Sequence, residues 1–296
     1  MAGKRRPTHR FWLVLCLLAL VIGFFGWSFT GLSLIPHRAA DSDLIVDKNG
    51  VNILLIGSDE NAAYHISGRA DAIMVAHADL KAGTLFLLSV PRDTLADIDG
   101  YGQDKLNHAY AYGGEELLAQ TLQAQLRIPI DYYVAVDFSG FTQVVDLLGG
   151  VTIDVDQRMY FQTYDGLIDI EAGVQRLNGE QALQYVRFRQ DESGDITRVS
   201  RQQNFLKSLL EQSRGSLSFW QLPQLMRAVD EMTVSDLGKR GFFRLAIAYR
   251  SLTPDQLSGA MLPGAFTVIN GVGYWQTDAA AAQEFLETYF SDRDQR

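Results

Sequence analysis

The chain lacks most of the features that usually disclose a function. Its single cysteine, Cys16, excludes an internal disulfide, so no redox compartment can be read from thiols. It has no Gly-x-Ser-x-Gly elbow, no Walker lysine loop and no His-Glu-x-x-His helix, and so none of the common serine-hydrolase, nucleotide-binding or zinc-hydrolase signatures. His65, His77 and His108 show no metal-ligand spacing and read as structural. Internal repeats and low-complexity tracts are missing too. Positive charge is scarce: the formal net charge is −9, and the first ten residues hold Lys4, Arg5, Arg6 and Arg10 without an acid, so the remainder is more acidic still. Non-specific nucleic-acid binding draws on Lys and Arg against phosphates, and an acidic body excludes it as a general property. Any phosphate site must be a local basic pocket.

Charge of either sign is absent from Phe11 to Ile35. As a helix this run exceeds the ~20 residues needed to cross a hydrocarbon core. With the basic cluster before it, the positive-inside rule predicts a cytoplasmic tail (1–10), a transmembrane signal-anchor helix (11–35), a polar linker (36–50) and an extracytoplasmic domain (51–296). The expected location is the cell membrane, single-pass. The alternative is a cleaved signal peptide, whose apolar core is shorter, ~7 to 15 residues.

The rest of the chain, with 47% hydrophobic and 21% charged residues overall, can bury a substantial core. Val51 to Ile56 reads as a buried strand that ends in an acidic loop, Gly57-Ser58-Asp59-Glu60. Residues 71–80 and 84–90 are strands joined by Lys81-Ala82-Gly83, a link that permits a hairpin and forbids a helical crossover. Helices are expected over 115–126, 138–148, 179–185, 197–211, 219–232, 235–249 and 278–290, with further strands at 132–136, 151–155 and 266–269. Asn178 and Gln181 form a capping box for the helix opening at Gly179. The fold class is α/β: a layered α-β-α domain with a central mixed β-sheet flanked by helices, plus the N-terminal transmembrane helix.

Against this acidic background Arg187, Arg189, Arg198 and Arg201 fall within fifteen positions. If the chain becomes extended near Val186, Arg187 and Arg189 share one side and Phe188 takes the other. Arginine's planar fork suits phosphate, which makes these four and Arg92 candidates for a pyrophosphate site, with Lys105 as a point charge. A solvated face paired with Asp191, Glu192 and Asp195 is the alternative. Asp59, Asp71, Asp93 and Asp195 are the neighbouring acids. A pair of them could hold a hard cation, or simply form turns.

Several blocks resemble the LytR-CpsA-Psr family: Val51 to Asp59, Gly68 to Met74, Leu88 to Thr94, Asp104 to Tyr110, Asp146 to Val151, and Leu177 to Leu183 running into Gln184 to Arg189. They keep the family's order over about residues 51–212. Ala70 stands where Ser is usual and Leu106 where Ile is usual. The resemblance implies a phosphotransferase (EC 2.7.8-like) that moves a glycopolymer, such as wall teichoic acid or capsule, from a polyprenyl-pyrophosphate carrier to a peptidoglycan acceptor. The attacking group would be the C6 hydroxyl of N-acetylmuramic acid. It implies Mg²⁺ on Asp59 and Asp71, and pyrophosphate on Arg92, Arg187, Arg189 and Arg198. Lys105, Asn107, Arg201 and Gln202 would be further substrate contacts, and Asp93 or Asp195 the proton acceptor. A membrane-anchored pyrophosphatase and a non-catalytic lipid-binding or regulatory protein are the rival readings. With about ten residues predicted on the cytoplasmic side, there is no room there for a DNA-binding domain.

Overall fold

The computed structural model describes residues 50–58, 68–162, 166–188, 195–216, 233–237, 241, 245, 248–249 and 252–290; within 195–216, the side chains of 195–199, 210 and 213–216 are outside the description. The predicted tail, transmembrane helix, linker up to residue 49, and helix over 219–232 lie outside the described residues. Among the described residues no helix is long and apolar enough to cross a membrane.

A six-stranded mixed sheet forms the centre. Its first strands are β1 (Gly50–Ser58), β2 (Ala70–Asp79) and β3 (Thr84–Ser89), joined antiparallel in sequence order. The expected hairpin at Lys81-Ala82-Gly83 is present, and Gly83 supplies a positive φ of 67°. The β4 (Leu95–Ile98) and β5 (Gly102–Lys105) hairpin follows, then helix α1 (Leu106–Leu126) and β6 (Tyr132–Asp137), which pairs parallel with β1. Helix α2 (Phe138–Leu147) leads to β7 (Val151–Val155), β8 (Met159–Gln162), β9 (Leu167–Ile170) and β10 (Gly173–Leu177). Next come α3 (Gly179–Arg187), α4 (Asp195–Ser216) and a short edge strand, β11 (Thr233–Ser235), against β6. The chain returns as β12 (Leu257–Met261), parallel to β3 on the other edge, then the β13 (Gly264–Ile269) and β14 (Val272–Thr277) hairpin and helix α5 (Ala279–Tyr289).

Alternation along β1 creates the layers. Ile53 and Leu55 pack on one face with Val144, Tyr185, Phe205 and Leu209 of α2, α3 and α4. Leu54 and Ile56 pack on the opposite face with Leu118 and Leu122 of α1 and Leu286 of α5. Period-two side chains buried on both faces force a helix layer on each side, so the expected α-β-α order is found.

Four expectations need correction. Helix α1 starts at Leu106 rather than 115, with a kink where Gly113 and Gly114 leave helical angles. A helix from Ser235 is replaced at its start by β11, because Ser235 pairs with Val134 and its hydroxyl donates to the Tyr133 carbonyl. Helix α4 begins at Asp195 and runs to Ser216, beyond the expected 197–211. Finally, α3 continues through Arg187 and turns extended only at Phe188, whose φ and ψ are −62° and 136°. Arg187 therefore leaves a helical last turn, where a cation also complements the negative end of the helix dipole.

Candidate functional site

The C-terminal ends of β1, β3 and β6 and the start of antiparallel β2 lie along one edge of the sheet, where open α/β sheets commonly take ligands. A β-bulge shapes this edge. Ser58 pairs with Ala70 and Gly57 with Ala72, so Asp71 is the extra residue between them. Bulges bend a strand and re-aim its side chain. Here the Asp71 carboxylate reaches Arg92 Nη1, just past β3, in a direct ion pair, and its other oxygen lies 3.7 Å from Arg187 Nη2 on the last turn of α3. Arg187 also stacks over Phe138, with its guanidinium carbon 4.3 Å from the ring centre.

A second ion pair continues the row. Lys105 Nζ donates to Asp93 Oδ1 at 2.9 Å, and Asp93 Oδ2 is 3.9 Å from Arg92 Nε. Thus Asp71, Arg92, Asp93, Lys105 and Arg187, separated by up to 116 positions, meet at one place. Backbone bonds fix the loop that carries them: Leu106 N donates to Thr94 O at 2.8 Å and Asn107 N to Arg92 O at 3.0 Å.

Behind Asp71, Arg92 and Arg187 lies a cavity of about 350 Å³. Its floor is β6 and β1, through Val134, Val136 and Leu55. One wall is α2, through Phe138, Phe141, Val144 and Val145; α3 adds Leu183 and Val186. The far wall is α4, with Gln202, Phe205, Leu206 and Leu209. An apolar space of that volume with charges gathered at one end is shaped for an amphiphile.

The other anticipated residues fall as follows. Asn107 is 4% exposed and Arg201 3%, and neither lines the cavity. Arg201 Nη1 donates to the Phe188 carbonyl at 3.0 Å, with the guanidinium 5.4 Å from the Phe188 ring, so it braces the junction after α3. Asp195 and Arg198 occupy the first turn of α4, their side chains outside the description, and Asp59 and Arg189 lie outside the described residues altogether. For a hard cation, Asp71 supplies an oxygen ligand at the mouth, and no cluster of three acidic, His or Cys side chains occurs among the described residues. One or two carboxylates completed by phosphate oxygens and water is the usual donor set for Mg²⁺, and Asp71 fits that set as one member. The Asp71 bulge and the half of α1 that anchors the Arg92 loop are the parts that sequence reasoning did not find.

Sequence and structure comparisons agree with one another. A polyisoprenyl-teichoic acid–peptidoglycan teichoic acid transferase TagU from Halalkalibacterium halodurans is 35% identical over 246 residues, 80% of this chain and 78% of that one. The crystal structure of Bacillus subtilis TagV aligns with a TM-score of 0.69 at 28% identity, over 82% of this chain and 97% of that chain. A LytR-CPS2A-psr family protein, YwtF (TagT), solved with bound octaprenyl pyrophosphate lipid, aligns with a TM-score of 0.63 at 28% identity, over 81% and 90%. The sequence pattern of the LytR_cpsA_psr family matches residues 36–291. On that match and the teichoic acid transferase relative, the chain belongs to the LytR_cpsA_psr family.

Proposed function

We propose that the protein transfers a glycopolymer from a polyprenyl-pyrophosphate carrier to peptidoglycan. The observation that carries this reading is the union of an apolar cavity with the Asp71, Arg92 and Arg187 cluster at its mouth. The polyprenyl chain would lie between the sheet and α2 and α4, burying methylenes at ~0.8 kcal/mol each. Its pyrophosphate would then meet Arg92 and Arg187, displacing them from Asp71. The relatives' names and the lipid in the YwtF structure support the same donor class.

Chemistry at such a site needs position and charge neutralisation more than a covalent intermediate. A hydroxyl of the acceptor, the C6 hydroxyl of N-acetylmuramic acid in this reading, attacks the sugar-proximal phosphorus. The new O–P bond forms as the bridging P–O bond breaks, and polyprenyl phosphate leaves. Arg92 and Arg187 stabilise charge on the non-bridging and leaving oxygens, and Arg189 and Arg198 are proposed to complete the grip. Asp93, held by Lys105 beside Arg92, takes the hydroxyl proton; Asp195 on the first turn of α4 is the other carboxylate proposed for that step. When bound, a magnesium ion on Asp71 and Asp59 would neutralise phosphate charge. Lys105 orders Asp93, Gln202 contacts the donor, and Asn107 and Arg201 act through the backbone they support. The charge-free segment from Phe11 to Ile35 would hold the domain beside the membrane that contains its donor.

The test is incubation of the full chain in membranes with labelled lipid-linked glycan and peptidoglycan. Label covalently joined to the wall is expected, lost on chelation and restored by Mg²⁺. Free phosphorylated glycan with an unlabelled wall would replace transfer by hydrolysis, and full transfer in chelator would remove the metal.

A further inference from the structure

A second feature stands beside the phosphate-facing residues, on the opposite face of the sheet from the lipid-sized cavity. Tyr101 and Tyr112 stack with ring centres 4.3 Å apart and planes 9° from parallel, although they are 56% and 42% exposed. Tyr101 projects from the β4 to β5 turn between Gly100 and Gly102, at φ 78° and 76°. A Cβ on either glycine would touch nothing within 4 Å, so backbone conformation alone requires glycine there. Tyr112 is the last residue of α1 before its Gly113-Gly114 kink.

Polar groups anchor the Tyr112 member of this pair. Tyr112 Oη donates to Asp104 Oδ2 at 2.8 Å, His108 Nδ1 meets the same oxygen at 2.8 Å, and Lys105 N donates to Asp104 Oδ1 at 2.7 Å. A carboxylate offers about four acceptor sites, so Asp104, a quarter exposed, keeps capacity for a hydroxyl from outside. Burial works to raise the Asp104 pKa, but the bonds from His108, Tyr112 and Lys105 outweigh it and the net shift is downward, which keeps it an acceptor. The next residue, Lys105, reaches Asp93 and lies 5.9 Å from the ring centre of Tyr274. Aromatic faces interleaved with a carboxylate and an imidazole therefore run up to the proposed proton acceptor.

We propose that Tyr101, Tyr112, Asp104 and His108, with Tyr274 at the inner end, form a subsite for an N-acetylhexosamine chain, the glycan strand of the acceptor. The electron-poor C–H face of a pyranose packs on the negative face of an aromatic ring, and its ring hydroxyls donate to carboxylate. Asp104 and Asp93 would repel a polyanionic chain at the same place, which favours the acceptor over the donor polymer. The layers supply the geometry: the donor's lipid occupies the α2 and α4 side, α1 carries the platform on the other, and both meet at Arg92, Asp93 and Lys105. This assignment rests on the transferase reading for its identification of the strand as acceptor.

The experiment uses the full chain in nanodiscs, with chitotetraose as a soluble N-acetylhexosamine probe and lipid-linked donor in a separate titration. Binding of chitotetraose to the wild type is expected. Tyr101→Ala and Tyr112→Ala should each weaken it about three- to tenfold and raise the acceptor KM by a similar factor. Donor affinity and melting temperature should be unchanged, and Tyr112→Phe, which keeps the stack, should lose less than Tyr112→Ala. Chitotetraose binding that is absent, or equal in wild type and both alanine variants, overturns the proposal. So does a loss confined to the donor titration, or a change of oligomeric state in the alanine variants, which would mark a contact between copies. If the wild type transfers nothing but binds chitotetraose through these tyrosines, the subsite stands and the transferase reading falls.

Discussion

Replacing Arg187 by alanine separates a ligand-binding arginine from a structural one. Its side chain is about 40% exposed, with the guanidinium 3.7 Å from Asp71 and stacked 4.3 Å from the centre of Phe138. An ion pair that long and that exposed contributes roughly 0–1 kcal/mol to stability, and the exposed stack about 0.5–1. A charge-assisted bond to a phosphate is worth about 1.5–3 kcal/mol, or roughly 10- to 150-fold in rate or affinity. Arg187→Ala should therefore slow glycan transfer by one to two orders of magnitude while lowering the melting temperature by only a few degrees. Arg187→Lys, which keeps a charge but not the fork, should fall between. Transfer to peptidoglycan and thermal unfolding measured on the same preparations provide the check. Transfer within threefold of wild type would refute the assignment of Arg187 to the pyrophosphate, and a melting temperature that falls in step with activity would make it structural.

Arg201→Ala is expected to behave in the opposite sense: it empties a buried position that braces Phe188, costing about 3 kcal/mol and lowering the melting temperature by roughly 6–10 °C before any direct effect on ligand. Gly179→Ala would drive a Cβ into the Thr142 backbone where α3 meets α2, so calorimetry should show a loss of about 2–3 kcal/mol, and transfer should drop as the Arg187 helix shifts. Burial pushes the Asp236 carboxyl from 3.8 up to about 6, with Glu116 and Glu115 adding to the shift and the bond from the Tyr133 amide opposing it. Between those values the folded state binds more protons than the unfolded one, so this group's contribution falls as pH rises from about 4 to 6 and is flat above. Asp236→Asn should flatten that slope and raise stability at pH 7.5 by on the order of 1 kcal/mol, discounted for solvent screening; an unchanged slope in pH-dependent unfolding would refute it.

How much of this was legible depended on where the information resided. The three strands were readable because β1 and β3 are near-continuous apolar runs, and the antiparallel pairing of β2 with β3 because their link is too short for a crossover, whereas the antiparallel pairing of β1 with β2 had no such local signal. The Asn178 and Gln181 box was readable because capping is local, and both of its bonds are present. Strand β12 was not: Leu257 to Met261 includes Ser, Gly and Ala, and it is a strand because β3 offers it a parallel partner some 170 positions away. The β13 to β14 hairpin did carry a signal, Asn270-Gly271 between apolar runs, with both residues at positive φ. The Asp71 bulge is a register event between distant strands and leaves no local trace. Nor could spacing tell Arg187 from Arg201, since both lie on helices; burial separates them.

Charge balance at the sheet edge connects the arginines to the proposed metal. Arg92, Arg187 and Lys105 face Asp71 and Asp93, and Asp137, which caps α2, lines the same cavity, so the described groups carry about no net charge. In the proposed reaction a lipid-linked pyrophosphate diester brings roughly two negative charges, and charge collecting on the leaving phosphate would need local stabilisation because the body of the protein is acidic. The described residues alone are thus about two positive charges short of neutralising such a donor. Arg189 and Arg198 together, or a divalent cation on Asp71, would close that gap, and these additions are not equivalent. Arginines neutralise the pyrophosphate wherever their forks reach, whereas a cation on Asp71 also cancels the carboxylate that would otherwise repel the phosphate Arg92 and Arg187 are to hold. Asp71→Asn should therefore weaken the dependence of donor binding on Mg²⁺ more than donor binding itself, and Arg187→Ala should do the reverse.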